Sequence, residues 1–180
     1  MEQQVQKQLV LSAVGTDSPG LVDKISRHIL DLQLNIEDSR MSILGGEFAI
    51  MLLVSGDENS LIKLENSIPD LEAEFSDLTF TKKYTKAKKQ EPGLNYKVSV
   101  VALDHQGIVH NLTRFFSEKN INIEDLNTNS YAAPHTGTKM FAVDMKLNIP
   151  ENTSIMQLRD AFIQHCDDLN LDASFEADRN

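Results

Sequence analysis

Two short segments of this 180-residue chain combine residue types that can bind a charged small molecule. They are Asp17-Ser18-Pro19-Gly20 and Asp104-His105-Gln106-Gly107, and each lies between a β-prone run and a helical pattern. Free amides in the first turn of a helix attract a carboxylate, and a glycine there allows close approach. A nearby aspartate can cap the helix or receive an ammonium group. The combination suits a free α-amino acid, and the alternative is a tight, capped strand–helix turn.

Each turn is followed at the same distance by Asn-Ile-Glu-Asp, at 35–38 and again at 122–125. An offset of 87 aligns the two copies, and eight of the 22 positions in 17–38 are identical. Ordinary residue usage would give about one or two matches by chance. Later the offset grows to 93, so the second copy has six extra residues near 131–137. The chain is therefore expected to contain two related domains in tandem.

Other residues that could support catalysis lack a recognisable arrangement. Adjacent strand residues point to opposite faces, so neither Glu37-Asp38 nor Glu124-Asp125 is expected to form a close acid–base pair. His105 and His110 straddle a loop–helix boundary, which disfavours a shared metal site. Cys166 precedes two aspartates, whose charges disfavour the thiolate. We therefore expect no enzyme activity, no metal and no cofactor.

Composition and charge restrict the partners of the chain. Apolar residues make up 41 % of the sequence, no apolar run approaches the length of a membrane span, and the single cysteine excludes an internal disulfide. The N-terminus lacks a signal-peptide pattern, so we expect a cytoplasmic protein without membrane association. The formal charge is −10, and residues 1–81 and 92–180 are both acidic. Only 82–91 is basic, so direct binding of DNA or RNA is disfavoured.

Hydrophobic periodicity predicts the same order of elements in both copies. Strands are expected at 8–15 and 96–103, at 35–44 and 47–56 around a Gly45-Gly46 turn, and at the end of each copy. The first helix should be capped by Asp17 or Ser18, with Pro19 as its first residue and an inner face of Val22, Ile25, Ile29 and Leu32. The second should bury Leu61, Leu64, Ile68 and Leu71 and be kinked or divided at Pro69. Its counterpart at 154–168 should begin with a Ser154–Gln157 capping box.

The order β-α-β-β-α-β predicts an α+β fold in each copy. Its simplest solution is the ferredoxin-like arrangement, a four-stranded antiparallel sheet with two helices on one face. The expected organisation is a first domain at 1–85, a basic linker at 86–94 and a second domain at 95–180.

At this point the sequence resembles a known family. An Asp-x-x-Gly-Leu-Val turn at 17–22 and Asn-Ile at the start of the second strand look like an ACT domain. Two such units, with the segments at 15–22, 35–41 and 47–56, resemble the repressors of the bacterial glycine cleavage system. That resemblance covers nearly the whole chain and is stronger in the first copy.

The resemblance implies a ligand site and a mode of action. ACT domains pair side by side and bind amino acids between the first strand–helix turn of one domain and the second strand of its neighbour. The implied ligand-binding residues are Asp17, Ser18, Pro19, Gly20, Leu21, Asn35, Ile36 and Glu37, with Asp104, His105, Gln106, Gly107, Ile108, Asn122, Ile123 and Glu124 in the second copy.

The resemblance further implies an amino-acid effector, glycine first of all, and a homo-oligomer. It implies repression through contact with a DNA-bound activator protein rather than with DNA. One alternative is a separate ACT regulatory subunit that controls an amino-acid enzyme in trans. Another is an RNA-binding module of the same topology, although only Phe48, Phe80 and Phe141 lie near predicted strand centres and basic residues do not alternate with them.

Overall fold

The computed structural model describes residues 7–75, 77–86 and 92–178. These residues form two compact units, each a four-stranded antiparallel sheet with two helices on one face. The strand order is 2-3-1-4 within each unit, as the split β-α-β topology requires. The predicted α+β, ferredoxin-like tandem is confirmed.

The first unit consists of β1 (Lys7–Thr16), α1 (Leu21–Asp31), β2 (Asn35–Leu44), β3 (Glu47–Gly56), α2 (Glu58–Glu74) and β4 (Leu78–Thr85). Strands β1 and β3 are central, and their alternate residues meet the helices. The core is built from Leu9, Leu11, Ala13, Phe48, Ile50, Leu52 and Val54 of the sheet with Ile25, Ile29, Leu61 and Leu64 of the helices. Strand β2 is an edge, and nearly all of its side chains are exposed.

The second unit consists of β5 (Gly93–Leu103), α3 (Ile108–Ser117), β6 (Asn122–Ala132), β7 (Lys139–Pro150), α4 (Ile155–Asp168) and β8 (Asp172–Ala177). Its core is separate from the first and centres on Val98, Val100, Met145, Leu147, Leu112, Phe116 and Phe162. Strand β5 begins at Gly93, inside the segment predicted as the basic linker. Residues 87–91 of that linker lie outside the described part of the chain.

The helix starts differ from the expectations. Helix α1 begins at Leu21, with Gly20 in the N-cap position, so Pro19 is not its first residue. The buried face therefore starts at Leu21, and Val22 is 43 % exposed. Helix α2 continues through Pro69 without division. Helix α4 begins after Ser154, but among the described residues no side-chain hydrogen bond caps it, so the predicted capping box does not form.

Both copies carry an irregularity in the Asn-Ile-Glu-Asp segment. The pairing of β2 with β3 shifts by one residue between Ile36 and Asp38, and that of β6 with β7 shifts between Ile123 and Asp125. The glutamate between them is the extra residue of a β-bulge, which bends the strand and changes the direction of its side chains. Simple strand alternation therefore does not apply at Glu37 and Glu124.

Candidate functional site

The first strand–helix turn is shaped by a left-handed glycine. Gly20 has φ 90° and ψ 0°, and its carbonyl accepts the amide of Lys24 at 3.0 Å, which closes the first turn of α1. A Cβ atom at Gly20 would meet no atom of the described chain within 4 Å. The backbone conformation, rather than crowding, thus requires glycine, and the space in front of the turn is open.

The amides at the start of α1 lack a side-chain acceptor. Within the described residues, neither the Asp17 nor the Ser18 side chain accepts a hydrogen bond from the first amides of this helix, which corrects the predicted capping role. The first amides of a helix have no acceptor within the helix either. Leu21 is buried, so only its backbone can meet a ligand. Ser18, Pro19 and Leu21 line a small cavity of about 230 Å³ together with Phe75 of the α2–β4 connection.

The second turn has the same backbone conformation as the first, but its aspartate already has hydrogen-bond partners within the unit. Gly107 has φ 92° and ψ −4°, and its carbonyl accepts the amide of Asn111 at 2.9 Å. The Asp104 carboxylate accepts a bond from Lys139 Nζ at 2.7 Å and another from Ser130 Oγ at 3.2 Å. The hydrogen bond from Lys139 lowers the pKa of Asp104 below its usual value. An ammonium group therefore already sits where a ligand's ammonium group was expected to bind.

The remaining residues of the second turn offer less to a ligand. The ring of His105 lies against the carbonyl of Gln106, with Nδ1 at 3.0 Å from that oxygen, and both side chains are exposed. Ile108 is buried, so only its amide is available. Asp17, the counterpart of Asp104, is exposed and has no side-chain hydrogen bond or ion pair with any described residue. The two copies thus present the same amides with different carboxylates.

At the start of the second strand, it is the first unit whose carboxylate has partners within the unit. In the first unit, Glu37 accepts hydrogen bonds from Ser55 Oγ and from Asn35 Nδ2, the latter at 2.9 Å. The Ser55 bond first, and the Asn35 bond next, lower the pKa of Glu37. Ile36 packs against the core.

In the second unit, the carboxylate of Glu124 forms no hydrogen bond or ion pair with any part of the chain that is described. Asn122 and Ile123 line an open groove of about 750 Å³ beside His110 and Arg114 of α3. Each unit therefore holds one acidic residue through its own neighbours and leaves another free.

One unit alone does not bring the two predicted sets together. Asn35 pairs with Ser55 at one end of β3, whereas the residue before Asp17 pairs with Glu47 at the other end. Eight residues of strand separate these levels, about 26 Å at roughly 3.3 Å per residue. In the second unit β6 begins opposite Asn148, at the end of the sheet remote from Asp104. A single small ligand cannot touch both sets of one unit.

Sequence reasoning missed the partners of these carboxylates. Lys139, Ser130 and Ser55 were not among the predicted site residues, although each contacts one of them. The repeat contained a signal for the first: the later offset of 93 places Lys139 where the first copy has Gly46. Lys139 thus places a positive charge in the hairpin beside the Asp104 turn, and such a substitution for glycine indicates an internal ion pair.

Other chemistry finds no support in the described residues. They contain no group of three His, Cys, Asp or Glu residues that could hold a metal ion. Burial, and secondly the charge of Asp167, raises the pKa of Cys166 to about 12, which suppresses the reactive thiolate. Among the helices that the structure describes, none is both long enough and apolar enough to span a membrane.

Comparisons with known proteins agree on one type of molecule. The ACT-domain family matches residues 7–81. The glycine cleavage system transcriptional repressor of Escherichia coli (strain K12) is 31 % identical over 170 residues, which cover 94 % of this chain and 89 % of that protein. The repressor of the same name from Shigella flexneri gives the same identity and coverage. These relatives are regulatory proteins.

Two crystal structures share the whole architecture. One, provisionally assigned as a glycine cleavage system transcriptional repressor, has a TM-score of 0.73 and 25 % identity, and covers 98 % of this chain and 99 % of its own. The other, an unknown protein from Galdieria sulphuraria, has a TM-score of 0.79 and 25 % identity, with 96 % and 99 % coverage. The tandem of two units is therefore a recurring arrangement.

Proposed function

Because the chain belongs to the ACT-domain family of glycine cleavage system transcriptional repressors, we propose that it is an amino-acid-responsive repressor whose effector is glycine. The regulatory role follows from the family. The choice of glycine as effector and the mode of repression are proposals beyond what family membership implies.

The mode of repression we propose is contact with a DNA-bound activator protein. The formal charge of −10 supports this, since an acidic protein is repelled by the phosphate backbone and would have to act through another protein. Binding of glycine would change the surface that the activator contacts. A ligand can do so only through different affinities for the two states of the protein.

The first turn is the site we favour for the amino acid. Its amides at the start of α1 can receive the carboxylate, and the exposed Asp17 is free to receive the ammonium group. At the second turn the ligand's ammonium would have to displace Lys139 from Asp104, a contact of 2.7 Å. We therefore expect the first turn to bind glycine more tightly than the second, and this difference is the observation that carries the assignment.

The expected affinity is modest. Glycine has five non-hydrogen atoms, so a ceiling of about −1.5 kcal/mol per atom limits binding to roughly −7.5 kcal/mol, a Kd of a few μM. Sites that fall short of this ceiling would bind in the range of tens of μM to mM. Such affinities suit a sensor of metabolite concentration, because occupancy then follows the supply of the amino acid.

Isothermal titration and thermal melting with each of the twenty amino acids test the ligand. At a hundred times Kd, a ligand stabilises the folded state by about 2.7 kcal/mol, which raises the melting temperature by several degrees. We expect glycine to give heat and a shift, Asp17→Asn to weaken its binding at least tenfold, and the matched Asp104→Asn to leave it nearly unchanged. Absence of heat and of any shift at 10 mM for all twenty would contradict the proposal.

Affinity capture from a cell extract, with and without glycine, tests the partner. We expect recovery of a DNA-binding activator in an amount that changes with glycine. Recovery of an amino-acid enzyme instead would favour the alternative of a regulatory subunit that acts in trans.

A further inference from the structure

The two units differ most in the sheet face that their own helices leave uncovered. In the first unit this face carries Val10 and Val14 of β1 with Ala49, Met51 and Leu53 of β3. Val14 and Met51 are each 52 % exposed, and the other three are half-buried. These five residues form one patch around Ser12, because Val10 pairs with Leu53, Ser12 with Met51 and Val14 with Ala49 across the two central strands. We call it the apolar face.

The second unit has charged residues at the matching places. Val10 corresponds to Lys97, Leu53 to Lys146 and Met51 to Asp144. There Lys97 and Lys146 lie 2.8 Å and 3.9 Å from the carboxylate of Asp178, and Ser99 donates to Asp144 at 2.6 Å. The fold therefore does not require apolar residues on this face. Because exposed contiguous apolar patches mark interaction surfaces, the face of the first unit calls for a covering partner.

We propose that the apolar face is covered by the same face of a second copy of this chain. Sheets pack face to face about 10 Å apart with their strands nearly aligned, and an apolar inner layer is what such packing requires. A four-stranded sheet with strands of about ten residues has a projected face of roughly 600 Å². Stacking of the whole sheet face, with the apolar face at its centre, would bury somewhat less than the roughly 800 Å² per partner of a standard interface, which suits a reversible dimer.

Charges at the rim make the face self-complementary. The row Asp38–Leu53–Val10–Lys83 crosses the sheet from β2 to β4, with an acid at one end and a base at the other. A twofold axis parallel to the strands places the β2 edge of one copy over the β4 edge of the other. Asp38 then meets Lys83 of the second copy, and the contact occurs twice. A twofold axis perpendicular to the strands would instead place β2 over β2 and lose both pairs.

The described part of the first unit leaves Lys83 free for this role, since it has no ion pair there, whereas Asp38 shares its charge with Arg40 at 2.6 Å. The Asp38–Arg40 pair and Lys83 form a polar rim around the apolar rows. Such a rim around a dry centre is the usual anatomy of an interface. It also fixes the register, because a shift by one strand would oppose Lys83 to Leu53.

The test uses residues that the second unit already carries. We expect the wild-type chain to sediment above its monomer mass of 20.2 kDa at high concentration. The double variant Val10→Lys with Met51→Asp leaves the net charge unchanged and should halve the mass, with a dimerisation constant weakened at least a hundredfold. The matched control is Met156→Asp, which changes a methionine that is 71 % exposed on α4 and should leave the mass unchanged. Circular dichroism of all three should show the same fold.

The rim pair tests the orientation. Asp38→Lys alone and Lys83→Asp alone should each weaken self-association, and an equimolar mixture of the two should restore it through a mixed dimer. A wild-type chain that stays monomeric at all concentrations overturns the proposal. A double variant of Val10 and Met51 that keeps the wild-type mass overturns it as well. If the mixture fails to restore association, the twofold arrangement is wrong.

Discussion

Substitution of Gly20 tests whether this glycine only shapes the turn or also allows a ligand to approach the amides of α1. Gly20 has φ 90°, and a Cβ atom there would meet nothing within 4 Å. Gly20→Ala therefore introduces backbone strain of about 1–2 kcal/mol without a steric clash. For a domain of this size that amounts to a fall of roughly 5–15 °C in the melting temperature of the first unit. The protein should remain folded at 20 °C.

The same methyl group would occupy the open space through which a ligand's carboxylate reaches the amides of α1. We expect glycine to bind at least tenfold more weakly to Gly20→Ala, a loss of about 1.4 kcal/mol. Gly45→Ala is the matched control, because Gly45 has φ 63°, lies in the same unit and has equally open surroundings. It should cost similar stability and leave the affinity unchanged.

Titration calorimetry at 20 °C and thermal melting of the wild type and both variants measure the two effects. If Gly20→Ala lowers stability but binds glycine like the wild type, the turn is only a structural feature and the proposed site is wrong. If Gly45→Ala loses binding to the same extent, general strain explains the loss.

Three further predictions follow from single contacts. Gly15→Ala should prevent stable folding of the first unit, because a Cβ atom at position 15 would lie 1.8 Å from the backbone oxygen of Asp77. Denaturation in urea should show a loss of at least about 3 kcal/mol in the free energy of unfolding. Lys139→Met should free Asp104 and raise the number of glycine molecules bound per chain in calorimetry from one to two; an unchanged number would contradict the ion pair as the cause of the difference. Cys166 has a pKa of about 12, so a fraction of about 10⁻⁴ of its thiol should be ionised at pH 8. It should therefore react with iodoacetamide only after the protein unfolds. Rapid labelling of the native chain would show that the thiol is accessible and contradict this prediction.

The fold was predictable because its signals are local and repeated. The β2 and β3 strands and the turn at Gly45 and Gly46 follow the expected positions, and both turn glycines have positive φ. The buried face of α2 is the predicted one, since helical spacing alone determines which of its residues meet the sheet. Errors lie at helix starts, where a left-handed Gly20 replaces the expected cap and moves the helix two residues along the chain.

For the candidate site, the sequence indicated only the backbone of the turns. Gly20 and Gly107 each precede a helix that, among the described residues, has no side-chain cap, and a glycine before a helix is a local signal. The contact between Asp104 and Lys139 joins residues 35 positions apart, so no short motif contains it. The bulge at Glu37 was missed for the same reason: the register between β2 and β3 is a property of the pair of strands.

The differences between the units go in opposite directions, since each unit holds a different one of its two candidate-site carboxylates through its own neighbours. The first unit leaves the turn carboxylate of Asp17 free and ties Glu37 to Ser55, whereas the second ties Asp104 to Lys139 and leaves Glu124 free. Each tied carboxylate has a specific donor within its own unit, which satisfies its charge and fixes its position. Among the described residues, the turn carboxylate Asp17 of the first unit and the second-strand carboxylate Glu124 of the second therefore have no partner within the chain.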